Sequence, residues 1–348
     1  MYKIIDLFCG IGGFSYGFEM TKCFKTVLGV DCWNVALDTF SKNHPGTKTE
    51  LIDVKKLDQN YLKKYINKTD VIIAGPPCQG FSMSGKRDIF DVRNSLFKEV
   101  IRIVSIVKPK VVVIENVVGL LSMTTPEGNL VSCEIKTQLD KLGYAVECNT
   151  LNAADYGVPQ FRKRVVFIAC QKSMKKDIMF PSKTHGTKDV PFVTVGEALD
   201  NIPNEGDTYL KVRNDYQKLM AGTSHIYNHD VIAHSPLIVQ RMHSVPQGGN
   251  WKNIPIELGQ GGGKHSNNYR RLKNDEPSIT IKHVSKSMII HPIYDRTPTI
   301  REVARLQSFD DNFIITGNKY DQHQQLANAV PPLLGRAIAR SVLELLKK

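Results

Sequence analysis

Residues 70–82 read Asp-Val-Ile-Ile-Ala-Gly-Pro-Pro-Cys-Gln-Gly-Phe-Ser: an apolar run that ends in a proline-stiffened turn carrying a cysteine. A short run without polar alternation is the pattern of a strand buried on both faces. Outward from it, segments 4–8, 26–30, 111–115 and 165–169 have the same Val- and Ile-rich character, with helix-period segments at 14–20, 34–42, 96–107 and 131–142 between them. Buried strands alternating with helices predict an α/β fold: a mostly parallel sheet with helices on both faces and ligands at the carboxyl ends of the strands.

The 348 residues, 41% hydrophobic and 23% charged, suit one large domain and a smaller one and exclude a disordered or fibrous chain. No apolar run approaches the roughly 18 to 20 residues of a membrane span. The chain enters its first strand without a signal peptide, so an intracellular protein with no membrane contact is expected. Seven cysteines without a CxxC pair suggest neither a disulfide framework nor a zinc knuckle. Lys and Arg total 46 against 34 Asp and Glu, a net charge of +12 that favours a polyanionic partner such as nucleic acid. That excess is spread along the chain rather than held in a tail, as a binding cleft built from several segments requires.

Beyond about residue 181 the helix period weakens, nine of the ten histidines appear, and Gly-rich turns at 247–250 and 259–268 take over. Regularity returns at 299–308 and in an amphipathic helix over 331–346. We therefore expect a smaller irregular domain, 185–299, inserted into a larger one of residues 1–184 and 300–348. His225 and His229 form HxxxH with no cysteine or HExxH nearby, so no metal site is expected.

Four constellations carry chemistry. Asp6-Leu-Phe-Cys-Gly-Ile-Gly-Gly-Phe puts three glycines after the first strand, where bare backbone can approach a ligand or simply turn tightly. Ser15 stands where GxGxxG would place its last glycine, which weakens a nicotinamide reading, while Asp31 after the second strand could bind ribose hydroxyls. Cys78, at the end of the strand over 70–74, is either a nucleophile or a small core residue. Glu115 leaves the sheet at the same edge; desolvated it would hold or donate a proton near neutrality, and paired with a lysine it would be structural. In Gln160-Phe-Arg-Lys-Arg, Arg162 and Arg164 share a strand face, as guanidinium forks for phosphates and carbonyl oxygens or as solvated edge residues.

In this order the motifs resemble those of the DNA (cytosine-5)-methyltransferases of bacterial restriction–modification systems. DLFCGIGG at 6–13, GPPCQGFS at 75–82, ENV at 115–117, QFRKR at 160–164, REVARLQSF at 301–309 and LANAVPP at 326–332 carry the likeness. The resemblance implies a Rossmann-like, S-adenosylmethionine-dependent methyltransferase sheet, with 185–299 as target recognition domain. It implies transfer of a methyl group from S-adenosyl-L-methionine to carbon 5 of a cytosine flipped out of a specific short sequence in double-stranded DNA, leaving S-adenosyl-L-homocysteine.

Cys78 would be the nucleophile, Glu115 would contact the ring nitrogen and amino group, and Arg162 and Arg164 would position the base and nearby cofactor-side groups. Phe8, Gly10, Ile11, Gly12, Gly13, Asp31, Cys32, Asp53, Val54, Pro77, Leu96, Asn328 and Ala329 would line the cofactor pocket. A loop with Ser82, Ser84, Lys86 and Arg93 would close over DNA, and Gln247, Tyr269 and Arg270 are candidate DNA contacts in the insert. A monomer in the cytoplasm, on the nucleoid, is expected, with a cognate restriction endonuclease acting on the same site without binding it. Two positions depart from the family pattern: Cys32 stands where a bulky residue often packs on adenine, with Trp33 next, and LANAV replaces a GNS, making Ala329 a backbone-only contact. An RNA cytosine methyltransferase would share the thiolate route, but the long insert argues for reading a duplex. A catalytically silent DNA-binding regulator would be free to change Cys78, Glu115 and Asn328, all of which are present.

Overall fold

In the computed structural model, which describes residues 1–77, 96–222, 225–262 and 265–347 (backbone only for 260–262), the apolar runs form the middle of a seven-stranded sheet. Cys78, Ser82, Ser84, Lys86 and Arg93 lie outside the described residues. The strands are β1 (Tyr2–Leu7), β2 (Phe24–Asp31), β3 (Lys48–Leu51), β4 (Val71–Ala74), β5 (Val111–Val117), β6 (Tyr144–Asn152) and β7 (Lys163–Gln171), in the order β3-β2-β1-β4-β5-β7-β6. Strands β1 to β5 are parallel, and β7 runs antiparallel to both β5 and β6. Leu7 pairs with Val30 and Ala74, and Ala74 with Ile114, so β1 and β4 end level while β2 runs one residue further and β5 three. Strand order reverses between β1 and β4, the switch point where an open α/β sheet forms its crevice.

Helices α1 (Gly13–Glu19), α2 (Asn34–Asn43), α3 (Gln59–Leu62), α4 (Leu96–Val107) and α5 (Val131–Lys141) connect these strands. The apolar stripe of α4, Phe97, Val100, Ile101, Val104 and Val107, is buried in one core with Ile72, Val112 and Ile114. The sheet is mostly parallel, as expected. Strands β3 and β6 escaped the sequence reading because both are sheet edges: their partly exposed, polar residues make no apolar run.

The chain clusters into two compact units, one of Met1–Asn152, Lys163–Ser182 and Leu334–Lys348, the other of Ala153–Arg162 and Lys183–Leu333. This packing division differs from the expected split at 184/185 and 299/300, because 153–162 and 300–333 pack with the inserted residues. The second unit contains α6 (Val195–Leu199), α7 (Asp215–Met220), α8 (Pro236–His243), α9 (Val284–Ser287), α10 (Ile300–Leu306) and α11 (Lys319–Asn328); α12 (Pro332–Leu346) follows. Among its described residues the strand-like pairings are isolated bridges, such as Arg271 with Ile290.

Buried charge explains why 300–333 belongs there. Arg305 is fully buried and donates to Asp311 Oδ1 (2.7 Å), Ala198 O (2.9 Å) and Asn201 Oδ1 (2.9 Å). Arg301, also fully buried, donates to Tyr227 O, Asp310 O and Phe313 O. Arg296 grips Glu302 with two hydrogen bonds of 2.8 Å, and Glu302 completes a capping box with Thr299 at the start of α10. Each guanidinium is matched to several acceptors, the condition under which a buried charge is tolerated.

The same unit buries neutral histidines. Burial pushes His291 and His323 down to about 4. Burial alone would raise Glu302, but its bonds from Arg296 and from the Thr299 N–H hold it below the usual carboxylate range. Between the ordinary imidazole value of 6.5 and about 4, the unfolded chain binds protons that the folded chain refuses, so stability rises with pH through this window. Each histidine then contributes about 3 kcal/mol that is fully present above pH 6.5 and lost on acidification towards 4. Urea midpoints measured from pH 7 to pH 4 should fall steeply below 6.5; a flat profile would contradict the burial of these rings.

Candidate active site

The turn after β1 is built on left-handed backbone: φ is +59° at Phe8, +52° at Gly10 and +85° at Gly12. Phe8 adopts this conformation with a full side chain, a strain of about 1 to 3 kcal/mol of the kind that gathers at functional sites. Asp31, at the end of β2, holds the turn: Gly10 N–H donates to its Oδ2 (2.8 Å) and Trp33 N–H to its Oδ1 (2.9 Å). Burial pushes the Asp31 carboxyl up. A Cβ added at Gly10 would meet nothing within 4 Å, so the turn faces open space there.

Gly12 faces the opposite situation. A Cβ there would lie 2.2 Å from His44 Nε2 and 2.7 Å from Phe40 Cδ2. His44 is buried, stacked on Phe40, and held by Glu19 Oε2 at 2.9 Å from its Nδ1. Gly12→Ala is therefore expected to lower the melting temperature and weaken binding of an adenosyl ligand by about tenfold or more. Calorimetric titration checks this, and wild-type affinity would show that the close approach is dispensable.

Beneath the turn, Ser15 donates its hydroxyl to buried Asp6. Burial pushes Asp6 up to about 8, with Asp31 and Glu19 adding to the effect, so Asp6 keeps its proton at neutral pH. This gives Ser15, which in the sequence only weakened a nicotinamide reading, a definite partner. Asp6, His44 and Glu19 were missed as supports of the turn; an acid inside an apolar strand was the available signal for Asp6.

The other proposed cofactor positions in this unit follow β1, β2, β3 and β4 in the chain, with Leu96 opening α4. Ile11 and Gly13 are buried, Cys32 is exposed, and Trp33 beside it is half-buried. Asp53 is exposed and caps the turn over 54–56 by accepting from Lys55 N–H (3.0 Å), while Val54 is buried in the core. Pro77 is exposed and Leu96 is buried.

The turn after β4 lies beside β5. Glu115 pairs with Val166 and Val117 with Arg164 across the antiparallel ladder, so Glu115 and Arg164 share a face. Arg164 Nε lies 2.8 Å from Glu115 Oε1, both side chains being largely buried. Burial pulls the Arg164 guanidinium down, and Glu115 pulls it back up. A Cβ on Gly75 would lie 3.6 Å from Glu115 Oε2, so the carboxylate stands over the start of the Gly75-Pro76-Pro77 turn. Asn116, also missed, donates from Nδ2 to Pro76 O (3.2 Å) and so holds the turn that leads to position 78. The sequence reading left Glu115 as a proton carrier or a partner of lysine; its partner is Arg164.

Arg162 has partners within its own unit. It is 2% exposed and donates to Ala327 O (3.0 Å) and Ala329 O (2.9 Å), on either side of exposed Asn328; Ala329 is itself buried. Of the candidate DNA contacts, Gln247 is exposed, its Oε1 accepting from Asn274 N–H, and Arg270 is half-buried. Tyr269 departs from expectation: it is 5% exposed and packed with Met242, Val245, Ile254 and Ile290, an aromatic filling a small core rather than facing solvent. Arg271 next to Arg270 is also internal, donating to Val245 O, Met242 O, His291 O, Tyr294 O and Asp295. Among the described residues no group of three or more His, Cys, Asp or Glu could hold a metal, and no helix is long and apolar enough to cross a membrane.

Residues 2–344 match the family described as C-5 cytosine-specific DNA methylase. The chain is 40% identical over 347 residues to Type II methyltransferase M1.HphI of Haemophilus parahaemolyticus, covering 98% of this chain and 86% of that protein. It is 37% identical over 370 residues to Type II methyltransferase M.DdeI of Desulfomicrobium norvegicum, covering 98% and 88%. A crystal structure described as a DNA modification methyltransferase encoded within an E. coli prophage superposes with a TM-score of 0.82 at 26% identity, covering both chains fully. With its glycine-rich turn, its Glu115–Arg164 pair and these likenesses, the chain belongs to the C-5 cytosine-specific DNA methylase family, whose methyl donor is S-adenosyl-L-methionine.

Proposed function

We propose that the protein methylates carbon 5 of a cytosine rotated out of a specific short sequence in double-stranded DNA, through a transient covalent bond from Cys78. The observation that carries this reading is the buried Glu115–Arg164 pair standing over the Gly75–Pro77 turn, which leads directly to that cysteine. Carbon 5 of cytosine is a poor nucleophile. Addition of the Cys78 thiolate to carbon 6 converts the ring to an enamine, with charge building on the ring nitrogen and carbonyl oxygen. Glu115 would share a proton with the ring nitrogen and accept from the amino group, while Arg164 stabilises charge near the carbonyl oxygen. Carbon 5 of that enamine would take the methyl group; a base would then remove the carbon 5 proton, and the thiolate would leave.

S-adenosyl-L-methionine, when bound, supplies an electrophilic methyl on a sulfonium. The open space over Gly10 and the carboxylate of Asp31 beside it suit an adenosyl group lying against bare backbone. Phe8, Gly10, Ile11, Gly12, Gly13, Asp31, Cys32, Asp53, Val54, Pro77 and Leu96 are the residues proposed to hold it, with Asn328 and Ala329 contributing. Neither reacting face of cytosine is accessible in a stacked duplex, hence base flipping at a cost of a few kcal/mol. Residues 185–299 would read the sequence, with Gln247 and Arg270 as contacts and Ser82, Ser84, Lys86 and Arg93 closing over the DNA. We infer a monomer acting on nucleoid DNA in the cytoplasm, in a restriction–modification pair with an endonuclease it does not bind.

Bisulfite sequencing of DNA from cells expressing the protein tests this directly. Protected cytosines at one position of one short sequence are expected; uniform conversion would refute the reading.

A further inference from the structure

Two arginines that sit two residues apart have different partners. Arg164 faces Glu115, whereas Arg162 is sequestered with the carbonyls of Ala327 and Ala329. Those carbonyls lie at the end of α11, where unsatisfied C=O groups gather and concentrate negative partial charge. A buried guanidinium satisfies them with charge-assisted hydrogen bonds. The surroundings are knit to the same turn: Gln307 Nε2 donates to Leu326 O (2.8 Å), Gln160 Nε2 donates to Leu306 O (3.2 Å), and Gln160 Oε1 accepts from Ile281 N–H (3.2 Å). Asn328 itself remains exposed, with its Oδ1 accepting from Gln324 Nε2 (2.9 Å). The peptides before and after Asn328 are thus tied down while its side chain is left available.

We propose that Arg162 is a positioning residue for Asn328: it pins the carbonyls on both sides, so that the Asn328 amide is presented to the methyl donor, and it does not contact the base. The proposal rests on the assignment of Asn328 to S-adenosylmethionine binding. It predicts opposite kinetic signatures for neighbouring arginines of one motif. Loss of Arg164 lowers kcat, because its charge acts on the reacting ring. Loss of Arg162 raises the KM for S-adenosylmethionine, because it only orders a contact to the cofactor.

The test uses the full chain as Arg162→Gln, Arg162→Lys, Asn328→Ala and the Arg162→Gln/Asn328→Ala double variant. S-adenosylmethionine affinity is measured by titration without DNA, and kcat and KM with duplex DNA. Arg162→Gln is expected to weaken cofactor binding and raise its KM by about tenfold or more, leaving kcat at saturation within about threefold. Arg162→Lys, which keeps the charge with a shorter reach, should fall between. The double variant should bind no more weakly than Asn328→Ala alone, since the two residues act through one contact.

Additive losses, or normal cofactor affinity in Arg162→Gln beside a weakened Asn328→Ala, would overturn the proposal. So would a fall in kcat at unchanged KM, which would put Arg162 on the base. Normal cofactor affinity in Asn328→Ala would overturn the cofactor assignment first and the proposal with it. Loss of folded protein in both Arg162 variants would make the arginine a clamp for the whole unit, and would likewise overturn it.

Discussion

Cys78→Ala is expected to abolish methyl transfer, lowering turnover by more than about 10⁴-fold, while S-adenosylmethionine affinity stays within about twofold of wild type. The separation follows from chemistry. In the proposed reaction the thiolate is what makes carbon 5 nucleophilic, and the Glu115 carboxylate and Arg164 guanidinium near the Gly75–Pro77 turn carry no thiol that could replace it at carbon 6. An alanine there leaves the glycine-rich turn, Asp31 and the buried supports around His44 untouched. Incorporation of labelled methyl groups into duplex DNA, paired with calorimetric cofactor titration, measures the two effects independently. A duplex carrying 5-fluorocytosine, which blocks the final proton removal, should trap the wild-type enzyme as an adduct on the peptide containing residue 78. Retained turnover in the variant, or a trapped adduct on another peptide, would refute the nucleophile assignment.

Asp311→Ala is expected to be the most damaging change away from the chemistry. Asp311 is fully buried, accepts twice from Arg305, and lies 3.8 Å from Arg301. Removing it leaves two buried guanidinium groups without their carboxylate, a loss of about 3 to 5 kcal/mol. Total stabilities of domains are about 5 to 15 kcal/mol, so a large share disappears and the unit that contains Asp311 should unfold in mild urea. The double variant Arg305→Met/Asp311→Leu should recover much of the loss, because an apolar pair removes the stranded charge along with its partner. Urea titrations of single and double variants decide the matter. A loss below about 1 kcal/mol in Asp311→Ala would mean that Arg301 and Arg305 do not depend on this carboxylate.

The legible part of the fold was its centre. Strands β1, β2, β4, β5 and β7 could be read because each carries a mostly buried run rich in apolar residues, and α4 because its apolar residues recur at helical spacing. Edge strands β3 and β6 carried no such mark, since an edge is half solvated and tolerates Lys, Thr, Glu and Asn. Among site residues, the glycine-rich turn and the end of β5 were visible because chemistry at the carboxyl ends of strands demands particular residue types there. The Glu115–Arg164 pair was not, because it joins positions far apart in the chain through an antiparallel register that local pattern does not encode. Tyr269 failed for the related reason that an aromatic among glycines and asparagines looks the same whether it faces DNA or fills a five-residue core.

From its order of residues alone, this protein reads as an α/β chain whose motifs follow one another as in the cytosine-5 methyltransferases, because the residue types of those motifs are legible without coordinates. Folding alone decides which arginine serves which partner, which carboxyl keeps a proton, and where the compact units divide. Those outcomes depend on distance and desolvation between residues remote in sequence. A guanidinium reads the same in the chain whether it ends beside a carboxylate or behind a turn.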